Sequence, residues 1–224
     1  MLQQSFQEHR QVYGSPRIHA KRREEGVHWG RKRVVRLMQS LGISALPKRS
    51  RKPTTKSEKQ ARFAPNLLNR AVAAERPNPR WVTDTRAVET AEGWLYLAVS
   101  LDLFSRQGVG WAMAAPEDGE LVEVALRMAV ARRRPEAGLR HHSDRGTECT
   151  CERSQAALRE LGIEVSISRT GHCWEHAGME AFFATLAKEC VNRVKYQTRQ
   201  EARSSIFESI ECFSHSLRLH SPLQ

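Results

Sequence analysis

The segment that most constrains the fold is residues 94–103, a run of strand length built almost entirely from apolar side chains. Ser100 and Asp102 interrupt it, and no window approaches the roughly 18 apolar residues that span a bilayer, so it reads as a buried sheet strand. Residues 81–83 are β-prone, with Asp84 expected to interrupt them, and residues 107–113 form a third run after a turn at Ser105-Arg106. Three strands with short connections predict an antiparallel meander. A helix over 120–133 follows, with Leu121, Val124, Ala125 and Met128 expected on one face. Next come a short strand at 139–142, a helix at 152–161 stopped by Gly162, and a strand at 163–167. Helices at 175–190 and 199–212 complete the pattern. The order β-β-β-α-β-α-β-α-α predicts an α/β fold, a mixed sheet flanked by helices. Trp81 and Trp94 are expected in its core.

Upstream of Arg80 the pattern is helical. Ser15 is expected to cap, and Pro16 to open, a helix that runs to about Glu25 and stops at Gly26. A second helix, 31–40, carries an apolar stripe of Val34, Leu37, Met38 and Leu41 and ends at Gly42. Two helices joined by a glycine-bounded turn, the second of them basic, fit a small all-α helix-turn-helix segment. A generic helical hairpin with a charged face is the other reading. Residues 46–78 are polar, basic and non-periodic, and end in a proline cluster at Pro77 and Pro79. The expected organisation is therefore a helix-turn-helix segment at 1–45, a basic linker at 46–78, an α/β body at 79–215 and a short tail at 216–224.

Charge follows the same division. Residues 1–80 hold 19 Lys and Arg against 5 Asp and Glu, a net of +14, whereas residues 81–224 hold 17 against 20, a net of −3. A basic module on a near-neutral body points to a polyanionic partner, and nucleic acid is the commonest, because Lys and Arg release counterions from phosphates. The first ten residues, MLQQSFQEHR, lack an apolar signal core, so a cytoplasmic protein with no membrane partner is expected. The five cysteines, at 149, 151, 173, 190 and 212, read as free thiols in a reducing compartment. Cys149 and Cys151 stand too close for the usual zinc knuckle. No P-loop, dinucleotide fingerprint or Ser-His-Asp arrangement supports nucleotide hydrolysis or acyl transfer.

Three acids stand out by position. Asp84 lies in a β-prone segment, Asp144 directly follows the fourth strand, and Glu180 lies on a helix beside Met179, Phe182 and Phe183. Carboxylates brought together repel, and the common reason to assemble them is a hard divalent cation such as Mg²⁺ or Mn²⁺. Two such ions can clamp the attacking and leaving oxygens of a phosphodiester. Asp102, on a core strand, and His141 and His142, before Asp144, read as structural.

Several motifs in order carry a family resemblance. They are Tyr13-Gly14-Ser15-Pro16-Arg17-Ile18, Trp81-Val82-Thr83-Asp84, Leu101-Asp102-Leu103-Phe104-Ser105-Arg106, His142-Ser143-Asp144-Arg145-Gly146 and Met179-Glu180-Ala181-Phe182-Phe183. With 35 residues between Asp144 and Glu180, the chain resembles the second-reading-frame products of bacterial insertion-sequence transposases, which carry a DDE integrase core. The resemblance runs over nearly the whole chain. It implies a ribonuclease-H-like fold over the body and catalysis by Asp84, Asp144 and Glu180 as ligands of two Mg²⁺ or Mn²⁺ ions. It also implies strand cleavage by water followed by strand transfer from the freed 3′-hydroxyl. The implied partners are double-stranded DNA (element ends and target), a first-frame transposase product and further copies of the chain on DNA. Arg17, Arg31, Lys32, Arg33, Arg36 and Lys188 are the candidate DNA contacts.

The chain also departs from the family pattern. Thr85-Arg86-Ala87 replaces Ile-Thr-Tyr after the first acid, which is expected to remove a buried aromatic and to put a cation into a core strand. Thr147-Glu148-Cys149 and the segment from His172 to Ala177 differ from the family as well. Ala187 stands where the family carries Lys or Arg, with Lys188 as the nearest substitute, and the segment from Phe213 to Ser221 is a degraded version of a terminal signature. These departures open an alternative, a degenerate and catalytically impaired copy that only binds DNA.

Overall fold

The computed structural model describes residues 2–44, 76–115, 119–143, 152–167 and 177–214. They fall into two compact units, the first holding the N-terminal helices and the second the described residues from Arg76 onward. In the first unit, helix α1 (Leu2–Glu8) precedes α2 (Ser15–Glu24) and α3 (Arg31–Ser40). The sequence reading did not anticipate α1, whose Leu2 and Phe6 are buried in a small core with Tyr13, Ile18, Val34 and Met38. The cap of α2 is Gly14, with Pro16 inside the first turn, so Ser15 is a helical residue and not the expected cap. Gly26 takes φ +80° just beyond the helix, a conformation that stops it at little steric cost. On α3, Val34 and Met38 are buried, but Leu41 is 48% exposed because the helix ends at Ser40 and the stripe outruns it.

The second unit is built on a five-stranded sheet. Strands β1 (Arg80–Thr90), β2 (Gly93–Asp102) and β3 (Gly108–Ala114) form the expected antiparallel meander. Helix α4 (Gly119–Arg133) then crosses to β4 (Arg140–Ser143), and α5 (Glu152–Glu160) crosses to β5 (Glu164–Ile167). Both later strands run parallel to β1, so the order across the sheet is β3-β2-β1-β4-β5. Helix α6 (Ala177–Glu189), a 3₁₀ turn (Val191–Arg193) and α7 (Arg199–Phe207) follow, and α7 runs on into a π-helical turn (Glu208–Ser214).

Two apolar layers sandwich the sheet. On one face Val82, Leu97, Val99 and Leu101 pack against Met179, Phe183 and Leu186 of α6 and against Ala202 and Ile206 of α7. On the other, Trp81, Val109, Ala98 and Ala112 pack against α4 and α5 through Leu126, Ala129, Leu121, Ala125 and Leu158. Alternation along the strands produces this division.

Three expectations are corrected. Asp84 does not interrupt β1, which stays paired through it, with Asp84 opposite Val99 and Thr85 opposite Ala98. Its carboxylate accepts the Thr85 N–H at 2.9 Å. Trp94 is 51% exposed, since it stands beside the turn of the β1–β2 hairpin, opposite Glu89. Val124 is 48% exposed, since the inner face of α4 is centred on Val122, Ala125, Leu126 and Ala129.

Candidate active site

Asp84 is placed by strand alternation. Trp81 and Thr83 face α4 and α5, whereas Val82 faces α6 and packs in the cluster with Met179 and Phe183. Asp84 is two residues beyond Val82, so its carboxylate emerges on the α6 side of the sheet, with its side chain 20% exposed. Helix α6 is anchored on that side by buried Met179 and Phe183. Glu180 sits beside Met179 in the first turn and one turn from Phe183, and it is exposed.

Arg86 stands between Asp84 and helix α6. It is the next residue outward on the same strand face, its Nε lies 3.8 Å from Asp84 Oδ2, and its guanidinium lies 5.5 Å from the centre of the Phe183 ring. Its side chain is 50% exposed and Ala87 is exposed as well. The expectation of a cation forced into the core, with a buried aromatic lost beside it, is therefore corrected: both positions are exposed, although β1 returns to the core at Val88. Sequence reasoning registered Arg86 only as a departure. Its i, i+2 spacing from Asp84 on a strand was the signal that the two side chains share a face.

Asp144 lies outside the described residues. The residue before it, Ser143, is buried and is the register partner of Thr83, the residue before Asp84. A buried polar chain runs across these strands on the α4–α5 side: Thr83 Oγ1 lies 2.8 Å from Ser100 Oγ and 2.7 Å from His141 Nε2. Burial, reinforced by the neighbouring His142, pushes the His141 pKa down to about 3, so the ring is neutral at physiological pH. His142 Nδ1 lies 2.9 Å from Ser166 Oγ on β5. Both histidines thus bind the sheet together, in agreement with their structural reading.

Asp102 is structural too. It is fully buried and accepts hydrogen bonds from the backbone of Asn78 and from the backbone and hydroxyl of Ser105, at 3.2, 3.1 and 2.8 Å. It therefore closes the β2–β3 turn and pins the segment entering β1.

Asp84 and Glu180 offer only oxygen donors and stand on one face of the sheet, which fits Mg²⁺ or Mn²⁺ better than a softer metal. Among the described residues, which do not include Asp144, no group of three or more His, Cys, Asp or Glu side chains is placed to hold a metal ion. Farther along α6, Ala187 and Lys188 are half-buried. Cys190 is a buried free thiol, 3.2 Å from Ser205 Oγ, and belongs to the packing of α7.

The candidate DNA contacts of the first unit are well presented. Arg31, Lys32, Arg33 and Arg36 are all exposed on α3. Arg33 lies 5.5 Å from the centre of the Trp29 ring, and Arg17 lies 5.5 Å from that of Tyr13.

Residues 74–173 and 180–224 match integrase core domain families, and residues 2–51 match an HTH-like domain. A 31 kDa protein of insertion element IS600 from Shigella sonnei is 40% identical over 96% of this chain and 79% of its own length. The transposase of insertion sequence IS904 from Lactococcus lactis is 37% identical over 97% of this chain and 86% of its own length. The chain belongs to the insertion-sequence transposases. As a transposase with an integrase core it is an enzyme, a polynucleotidyl transferase of the DDE type. Its fold agrees with that of a chain in the structure of the simian T-cell lymphotropic virus intasome in complex with PP2A regulatory subunit B56 gamma, with a TM-score of 0.51 at 16% identity. That match covers 94% of this transposase and 72% of that chain. No described helix is long and apolar enough to cross a membrane.

Proposed function

We propose that this transposase cuts DNA at the ends of its mobile element and joins the freed 3′-hydroxyl to target DNA, with Asp84, Asp144 and Glu180 as the catalytic acids. The reading is supported by one observation: Asp84 emerges on the sheet face that α6 covers, and Arg86 beside it reaches Phe183, one turn from Glu180 on that helix. The three acids would hold two Mg²⁺ or Mn²⁺ ions, which when bound supply Lewis-acid activation of the attacking oxygen and neutralise charge on the phosphoryl oxygens. The chain's own residues do the positioning. The paired strands β1 and β2 fix Asp84, and the buried anchors Met179 and Phe183 fix the first turn of α6. Arg17, Arg31, Lys32, Arg33 and Arg36 grip the DNA backbone through phosphate contacts, and Lys188 adds a cation on α6. The division into a DNA-gripping segment at 1–45, a basic linker at 46–78, a catalytic body at 79–215 and a tail at 216–224 follows from the same reading. Double-stranded DNA is the substrate, and a multimer that brings two element ends together, joined by a first-frame product, is the working form in the cytoplasm.

The test is nicking of supercoiled plasmid by the purified chain in Mn²⁺, beside Asp84→Asn and Asp144→Asn variants. Nicking that falls to background in both variants is the expected result. Nicking that persists would sink the assignment of these acids. Absence of nicking by the unaltered chain, with DNA binding retained, would favour the alternative of a copy that only binds DNA, for which Ala187 is the supporting residue.

A further inference from the structure

We propose that Arg86 is a resident counter-ion of the carboxylate site, which a divalent ion must displace from Asp84. The inference rests on the catalytic reading of Asp84 and Glu180. Its observations are separate from that reading. The Arg86 Nε lies 3.8 Å from Asp84 Oδ2, and the same guanidinium lies over the ring of buried Phe183, in the helix turn next to Glu180. Phe183 is itself held edge-on by Phe182 at 5.6 Å, so the platform under the guanidinium is packed rather than loose.

An ion pair this exposed adds little to folding stability. Its effect falls on the electrostatic potential at Asp84. A divalent ion placed on the Asp84 carboxylate meets a like charge a few ångströms away, and the two repel. Arginine does not relieve that repulsion by losing a proton, because its guanidinium stays charged at any working pH. The half-exposed side chain has to swing off the carboxylate, and it can do so while keeping its contact with Phe183. The free chain therefore holds its metal weakly.

The experiment is a Mn²⁺ titration of the full chain without DNA, followed by the electron paramagnetic resonance signal of free Mn²⁺. Wild type, Arg86→Gln and Arg86→Lys are each measured with and without Asp84→Asn, so that binding at the site is defined by its loss in the Asn variant. Arg86→Gln should tighten the Asp84-dependent Kd about five-fold at low salt, and the gain should shrink as ionic strength rises. Arg86→Lys, which keeps the charge, should stay close to wild type. An unchanged or weaker Kd in Arg86→Gln, with its thermal midpoint in chelator retained, overturns the proposal. Should Arg86→Gln not fold, Arg86→Thr restores a strand-forming residue and carries the same expectation. Asp84-dependent binding that ignores Arg86 overturns this inference alone. No Asp84-dependent binding in any variant overturns the catalytic reading along with it.

Discussion

Two aspartates on paired strands show how surroundings divide one chemistry into two roles. Asp102 is fully buried and spends its carboxylate on the backbone of Asn78 and on Ser105, so it is a turn-closing residue. Asp84 is partly exposed on the α6 side, beside a half-exposed arginine, so its carboxylate is open to another cation. His141 gives a prediction at the same scale. Its folded pKa is depressed from 6.5 to about 3 by burial, so above pH 6.5 it adds no pH dependence. As pH falls from 6.5 towards 3 the unfolded chain takes up a proton that the folded chain refuses, and stability is lost. Urea midpoints measured across that window should fall with pH for wild type and fall less for His141→Gln, which removes the titrating ring. Equal slopes for the two proteins would show that His141 is not the group responsible.

At the scale of elements, the sheet depends on close approaches that side-chain patterns only partly announce. Helix α4 crosses β3 at Gly110 so tightly that a Cβ there would run into the Ala125 carbonyl and the backbone of Ala129. Gly110→Ala should therefore cost about 1–3 kcal/mol or more, because the obstacle is helix backbone rather than a side chain that can turn aside. A thermal melt checks this, and an unchanged midpoint would mean that α4 shifts freely on the sheet. Strand β1 has the opposite property. It opens to solvent at Arg86 and Ala87 while remaining paired to β2, and it is buried again at Val88. The unusual residues after Asp84 are thus tolerated by the strand, and their consequences lie at the site.

At the scale of the whole molecule, the charge is divided between the two parts of the chain, +14 in residues 1–80 and −3 in residues 81–224. DNA binding should be dominated by the first part and should weaken steeply with salt. Replacing Arg31, Lys32, Arg33 and Arg36 together by Ala should reduce the slope of log K against log salt by about 3 to 4, if each residue neutralises one phosphate. Titrations at several salt concentrations measure it directly. A slope that does not change would take α3 away from the DNA.

Much of this protein was legible in its residues. The strand runs, the helical stripes and the stops at Gly26, Gly42 and Gly162 placed the elements close to where they stand, because period and turn chemistry are local properties. The motifs around Asp84, Asp144 and Glu180 identified the family for the same reason: they are short strings in a set order. Local rules did not reach the exposure of Trp94 and Val124, the exposure of β1 at Arg86 and Ala87, or the meeting of Arg86 with both Asp84 and Phe183. Each depends on which strand ends first, which helix face turns inward and what stands across the sheet. Those relations join residues far apart in the chain, and they exist only once the sheet has formed and α6 has packed on it.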